Sequence, residues 1–129
     1  MQPCVIFDCD GVLLYKGHPT PLLEFAKQLG VHWELATIVV SGRCPGEWGR
    51  TWAQLGRCGL HPTESYCVGR EKKLGIIKIL ATRFNILTVF EDDPRDVDAL
   101  RKADIPYTAV HSGLYDWEGM KAAAFVASP

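Results

Sequence analysis

The sequence predicts a three-layer α/β fold in which five parallel strands are packed between helices. Three observations carry this reading. Short apolar runs rich in β-branched and aromatic residues recur along the chain. They are continuous rather than alternating, as strands covered on both faces are. Segments with helical spacing separate them, so right-handed crossovers wind the chain over both faces of one sheet in a Rossmann-like arrangement.

The first strand is CVIF (residues 4–7). In TPLLEFAKQLG (20–30), Thr20 stands as an N-cap, Pro21 opens the helix, Leu22, Phe25, Ala26 and Leu29 form its stripe, and Gly30 stops it. TIVV (37–40) follows as the second strand. PGEWGRTWAQLGRCG (45–59) places Trp48, Trp52 and Leu55 on one helical face, which Gly49 weakens. After the third strand, YCV (66–68), the segment KKLGIIKILATRF (72–84) repeats Leu74, Ile77, Leu80 and Ala81. LTVF (87–90) is the fourth strand, and DPRDVDALRKAD (93–104) starts a helix at Asp93 and Pro94 and carries Val97, Leu100 and Ala103. YTAV (107–110) is the fifth, and the tail after it reads either as a fraying end or as a short helix.

A chain of 129 residues is the size of one domain, so residues 1–129 are read as a single unit. Fourteen Lys and Arg against 15 Asp and Glu leave a net charge of -1, which argues against an extended basic surface that tracks a nucleic-acid backbone but leaves open the capture of one phosphate or one strand end. No run approaches the roughly 20 apolar residues of a membrane span, and MQPCVIFDCD lacks the features of a signal peptide, so the expected location is the cytoplasm. Cys4, Cys9, Cys44, Cys58 and Cys67 show no CxxC spacing and are read as reduced, structural thiols. Cys9, between two carboxylates, is expected to turn into the fold. The four histidines lack ligand spacing, and the tryptophans are read as packing groups.

In such a fold ligands sit at the carboxyl ends of the strands. The residues that follow the strands there are Asp8 and Asp10, then Ser41, Gly42 and Arg43, then Glu91, Asp92 and Asp93, with Lys72 and Lys73 opening the helix after the third strand. Carboxylates gathered from two strand ends repel unless a hard divalent cation lies among them, which points to Mg²⁺. Ser41 and Gly42 have a turn as their structural alternative. Asp93 before Pro94 is as good an N-cap as a metal ligand. A lysine at a helix N-terminus needs an anionic partner, and of the two Lys73 is chosen. Arg43 beside the phosphate site suits a second phosphate or a backbone contact. Glu91 is assigned no role.

DCDGV, VVSGR, the lysines of REKK and FEDDPRD, in that order, resemble the four motifs of the haloacid dehalogenase superfamily of phosphotransferases, over residues 5 to about 115. The resemblance implies an aspartyl-phosphate mechanism. Asp8 would be the nucleophile, Asp10 the general acid and base that marks a phosphatase rather than an ATPase, Ser41 and Lys73 the groups that hold the phosphoryl oxygens, and Ser41, Gly42 and Arg43 the substrate-binding turn. Asp8, Asp10 through its backbone carbonyl, Asp92 and Asp93 would hold Mg²⁺. Members usually carry a cap after the first motif or before the lysine; here neither gap has room for one, so an open, capless site is expected. The second half is similar to the 3′-phosphatase domain of phage-type polynucleotide kinase-phosphatases, although Val12 replaces the usual threonine and no GxxxxGK[ST] loop marks a kinase half. The expectation is a stand-alone, Mg²⁺-dependent phosphomonoesterase acting on a polynucleotide 3′-end. Its alternatives are a small nucleotidase or metabolite phosphatase closed by oligomerisation, and a catalytically silent binding or regulatory domain.

Overall fold

The computed structural model describes residues 1–111. Their central feature is a five-stranded sheet in the order β5-β4-β1-β6-β7, formed by β1 (Gln2–Phe7), β4 (Ala36–Ser41), β5 (Glu64–Cys67), β6 (Phe84–Glu91) and β7 (Tyr107–Ala109). Every pairing is parallel. A two-stranded hairpin of β2 (Leu14–Tyr15) and β3 (His18–Pro19) follows β1 and has no counterpart in the expected elements. The helices are α1 (Pro21–His32), α2 (Trp48–Arg57), α3 (Lys73–Leu80) and α4 (Pro94–Lys102). The fold is thus the expected three-layer α/β arrangement, with no cap inserted among the described residues. None of these helices is long and apolar enough to cross a membrane.

Strand alternation explains the layers. In β1, Val5 and Phe7 face one side and pack with Leu23, Ala26 and Leu29 of α1 and Leu55 of α2. Cys4 and Ile6 face the other and pack with Ile77 and Leu80 of α3 and Leu100 of α4. Each fully buried side chain of this size contributes roughly 1.5–3 kcal/mol relative to exposure, which is why the middle strand reads as an unbroken apolar run.

Several local expectations are corrected. α1 runs past Gly30 to His32, and the residue that enters the core is Leu23 rather than Leu22, while Phe25 lies edge-on to Phe90 at 5.9 Å. The Thr20 hydroxyl accepts no N–H of its own helix; it donates to the Val12 carbonyl instead. α2 buries Thr51 and Leu55; Trp48 and Trp52 are displaced to its flank, exposed and stacked at 5.7 Å. α3 ends at Leu80, so Phe84 begins β6 instead of closing the helix. A register shift between Cys4 and Val5 lets β6 carry one extra residue, and Leu87 is left exposed by it. All five cysteines are free, and Cys9 is fully buried, where burial above all pushes its thiol up to about 12. The tail reading lies outside the described residues.

Candidate active site

β1 and β6 are adjacent, but the chain leaves β1 toward the α1 and α2 face and leaves β6 toward the α3 and α4 face. Their connections diverge, and a crevice opens at the carboxyl ends of the two strands. A cavity of about 360 Å³ lies there, walled by Asp8, Asp10, Arg43, Lys73 and Asp92 among others.

Asp8 continues β1 and is fixed by its backbone N–H donating to the Phe90 carbonyl at 3.0 Å. After it the chain turns sharply: the Cys9 carbonyl accepts from Val12, Leu13 and Leu14, and these three side chains are buried. Gly11 makes the turn possible. Its φ is +81°, and a Cβ there would stand 2.0 Å from the Asp92 Oδ2. The glycine after the aspartates is therefore where the first strand's loop yields space to a carboxylate of β6's loop.

Lys73, at the start of α3, is buried and reaches three carboxylates: Asp8 Oδ1 at 3.2 Å, Glu91 Oε2 at 2.6 Å and Asp96 Oδ2 at 3.5 Å. Burial opposes its charge, but Asp8 and Glu91 outweigh this and hold the ammonium well above its usual range. Lys72 is exposed, so Lys73 is the lysine brought to the site. Glu91, to which sequence reasoning gave no role, is almost fully buried. Its Oε1 accepts the backbone N–H groups of Asp92 and Asp93, both at 3.2 Å, so one carboxylate orients both the lysine and the turn that presents Asp92. A signal was available in the sequence: an acidic residue at the last position of an otherwise apolar central strand needs a buried cation.

Burial drives the Asp8 carboxyl far above the ordinary carboxylate range; Lys73 offsets this, while Glu91 and Asp92 reinforce it. Asp8, Glu91 and Asp92 each offer an oxygen within 4.8 Å of the others. These hard oxygen donors fit a divalent cation, and the space that a Cβ on Gly11 would fill belongs to one of them. Asp8 and Asp92 of the expected ligands belong to this side-chain cluster, and Glu91 joins them; the carboxylates of Asp93 and Asp10 lie outside it, Asp10 being expected to offer only its backbone carbonyl. Asp93 caps α4 by accepting from the Arg95 N–H at 2.9 Å and gives its other oxygen to Arg70. Of its two readings, the helix cap is the one the geometry shows.

Asp10 turns to Arg43 instead. Two hydrogen bonds join them, and Arg43 donates two more, to Thr51 and Gln54 of α2. Arg43 is thus occupied in holding Asp10 against α2, and the expected contact with a second phosphate finds its guanidinium already engaged. Ser41 ends β4 buried, and its hydroxyl accepts the Arg43 N–H at 3.0 Å. Gly42 brings the turn close to the 3-10 turn Arg70–Lys72 and the start of α3, where a Cβ would meet Arg70 Cα and Lys73 Cδ, each at 3.5 Å.

No family model matches this chain, and no curated protein matches it.

Proposed function

We propose that the chain is a Mg²⁺-dependent phosphomonoesterase that works through a phosphoryl group carried on Asp8, and that its substrate is the terminal phosphate of a polynucleotide 3′-end. The observation that supports it best is the placement of Asp8: a buried carboxylate at a strand end, 3.2 Å from the Lys73 ammonium and open to the cavity. The substrate class is supported by the resemblance of the motifs and by a site at which the described residues carry no cap to enclose a small metabolite.

In the first step an Asp8 oxygen attacks phosphorus, and the bond from phosphorus to the sugar oxygen breaks. Asp10 supplies the proton that the leaving oxygen needs. In the second, water attacks the phosphoaspartate, Asp10 takes its proton, and inorganic phosphate leaves as Asp8 is regenerated. Lys73 neutralises charge on the transferring group, and Gly42, whose turn lines the cavity, would offer its backbone to the phosphoryl oxygens, while the buried Ser41 hydroxyl braces that turn by accepting the Arg43 N–H. Arg43 holds Asp10 at the wall of the cavity while the Asp10 side chain stays exposed, so the pair presents the proton carrier where a leaving group would lie. A divalent cation bound at Asp8 and Asp92 would offset the excess of carboxylates and lower the repulsion between Asp8 and an incoming phosphate.

The test is hydrolysis of a 3′-phosphorylated oligonucleotide, a 5′-phosphorylated one, nucleoside monophosphates and an aryl phosphate, with and without Mg²⁺. Release from the 3′-end alone or best is expected, with no turnover by Asp8→Asn and a fall of roughly 10²- to 10⁴-fold for Asp10→Asn. Preference for free nucleotides would move the substrate to a small metabolite. No hydrolysis across the panel would overturn the enzyme reading in favour of a binding domain.

A further inference from the structure

Beside the cavity at Asp8 lies a second groove of about 620 Å³, walled by Asp10, Arg43, Glu47, Arg50, Gln54 and Arg57. The two share Asp10 and Arg43, so the groove begins where the candidate active site ends. Arg50, Gln54 and Arg57 stand at i, i+4 and i+7 of α2, on the flank opposite Trp48 and Trp52, and form one continuous stripe. Thr51 and Leu55 anchor the helix beneath it.

The charges along the stripe are unequal. Arg43 is taken up by Asp10. Arg50 pairs with Glu47 at 2.9 Å on the surface, an exchange that a stronger anion wins easily. Arg57 makes no ion pair among the described residues. Seven residues of helix separate Arg50 from Arg57, about 10 Å along the axis. A stacked single strand advances about 3.4 Å per phosphate, so that stretch covers about three backbone phosphates. Guanidinium forks suit phosphate oxygens, and among the described residues no cap closes the path.

We infer that this groove binds the sugar-phosphate backbone of a single strand immediately before the terminal phosphate held at Asp8. The inference rests on the phosphatase reading for the polarity of the strand, while the groove itself stands on α2. It makes α2, and not Arg43, the element that distinguishes a polynucleotide end from a free nucleotide.

The experiment has a binding arm and a turnover arm. In the first, Asp8→Asn protein is titrated with a fluorescein-labelled, 3′-phosphorylated eight-nucleotide strand over a range of salt. Adding Arg50→Ala and Arg57→Ala together should weaken binding at least tenfold. The slope of log K against log salt should flatten by about 1.4, since each phosphate that a protein cation neutralises on a single strand adds about 0.7. Lysine at both positions should restore the slope, and Glu47→Gln should tighten binding. In the second arm, the arginine pair should raise KM for the oligonucleotide at least ten times more than it changes KM for an aryl phosphate.

Strand affinity indifferent to both arginines, or equal KM changes on both substrates, overturns the groove. An arginine-dependent affinity for a phosphopeptide that exceeds the affinity for the strand overturns the choice of ligand. The two readings fail separately. Turnover of aryl phosphate with arginine-insensitive strand binding removes the groove and leaves the phosphatase; arginine-dependent strand binding by a protein that hydrolyses no phosphate ester removes the phosphatase and leaves the groove.

Discussion

Arg43 grips both oxygens of Asp10, Nε to Oδ2 at 2.8 Å and Nη2 to Oδ1 at 2.7 Å, across 33 residues of sequence. The pair joins the loop after β1 to the loop after β4 and, through Thr51 and Gln54, to α2. The fork geometry matters because a lysine can present only one point of charge. Arg43→Lys should lower kcat by about 10- to 100-fold. If the arginine acts through Asp10, the effects of Arg43→Ala and Asp10→Asn on kcat will be far from additive, and a full double-mutant cycle measures this. Strictly additive losses would mean that Arg43 acts elsewhere.

Cation binding should separate two neighbours. Ligand binding to the native state raises its melting temperature with concentration, so Mg²⁺ should stabilise the wild-type protein and chelation should reverse the effect. Asp92→Asn should remove most of that shift. Asp93→Asn should preserve it, since asparagine caps a helix about as well as aspartate and Asp93 already serves α4 and Arg70. A shift abolished in the Asp93 variant but kept in the Asp92 variant would reverse the ligand assignment.

Gly11→Ala should be among the costliest single-methyl changes in the chain. The new Cβ would overlap the Asp92 carboxylate at a φ of +81°. Loss of about 1–3 kcal/mol in urea unfolding is expected from the backbone strain, together with a weaker response to Mg²⁺ because Asp92 must move.

A different pair governs part of the acid response. Arg83 donates to both oxygens of Glu64, at 3.0 and 2.8 Å, and with Tyr66 holds the Glu64 carboxyl below its usual value. A carboxylate depressed in the folded state adds stability above its unfolded value, near 4.5 here, and loses it as pH falls through the lower folded value. Glu64→Gln should therefore be less stable than wild type at pH 7, by under about 1 kcal/mol for so exposed a pair. The gap should close as the solution is taken below pH 4. Thermal unfolding of both proteins between pH 3 and pH 7 measures it, and a gap that widens on acidification would refute the assignment.

Much of the architecture was legible because it depends on local pattern. Each of the five apolar runs overlaps a strand of the sheet, and the helix that opens at Pro94 begins one residue after the predicted cap at Asp93. Errors cluster where periodicity is ambiguous. Trp48 and Trp52 have helical spacing, but Trp48 gives its indole N–H to the Ser65 carbonyl at 2.9 Å and stacks on Trp52 at the surface, and Thr51 takes the buried position instead. Leu87 looks like a core residue until the register shift against β1 exposes it.

Sequence by itself determined which residues stand at the carboxyl ends of the strands, because strand length and turn chemistry are written in neighbouring residues. Asp8, Lys73 and Asp92 meet for that reason. Only the tertiary structure decided how the remaining charges are shared: Arg43 takes Asp10, Arg70 takes Asp93, and Glu91 goes to Lys73. These partners lie 33, 23 and 18 residues apart. Ion pairing acts over a few ångströms, so it follows strand order and the direction each loop leaves the sheet, and neither is contained in any short stretch of chain.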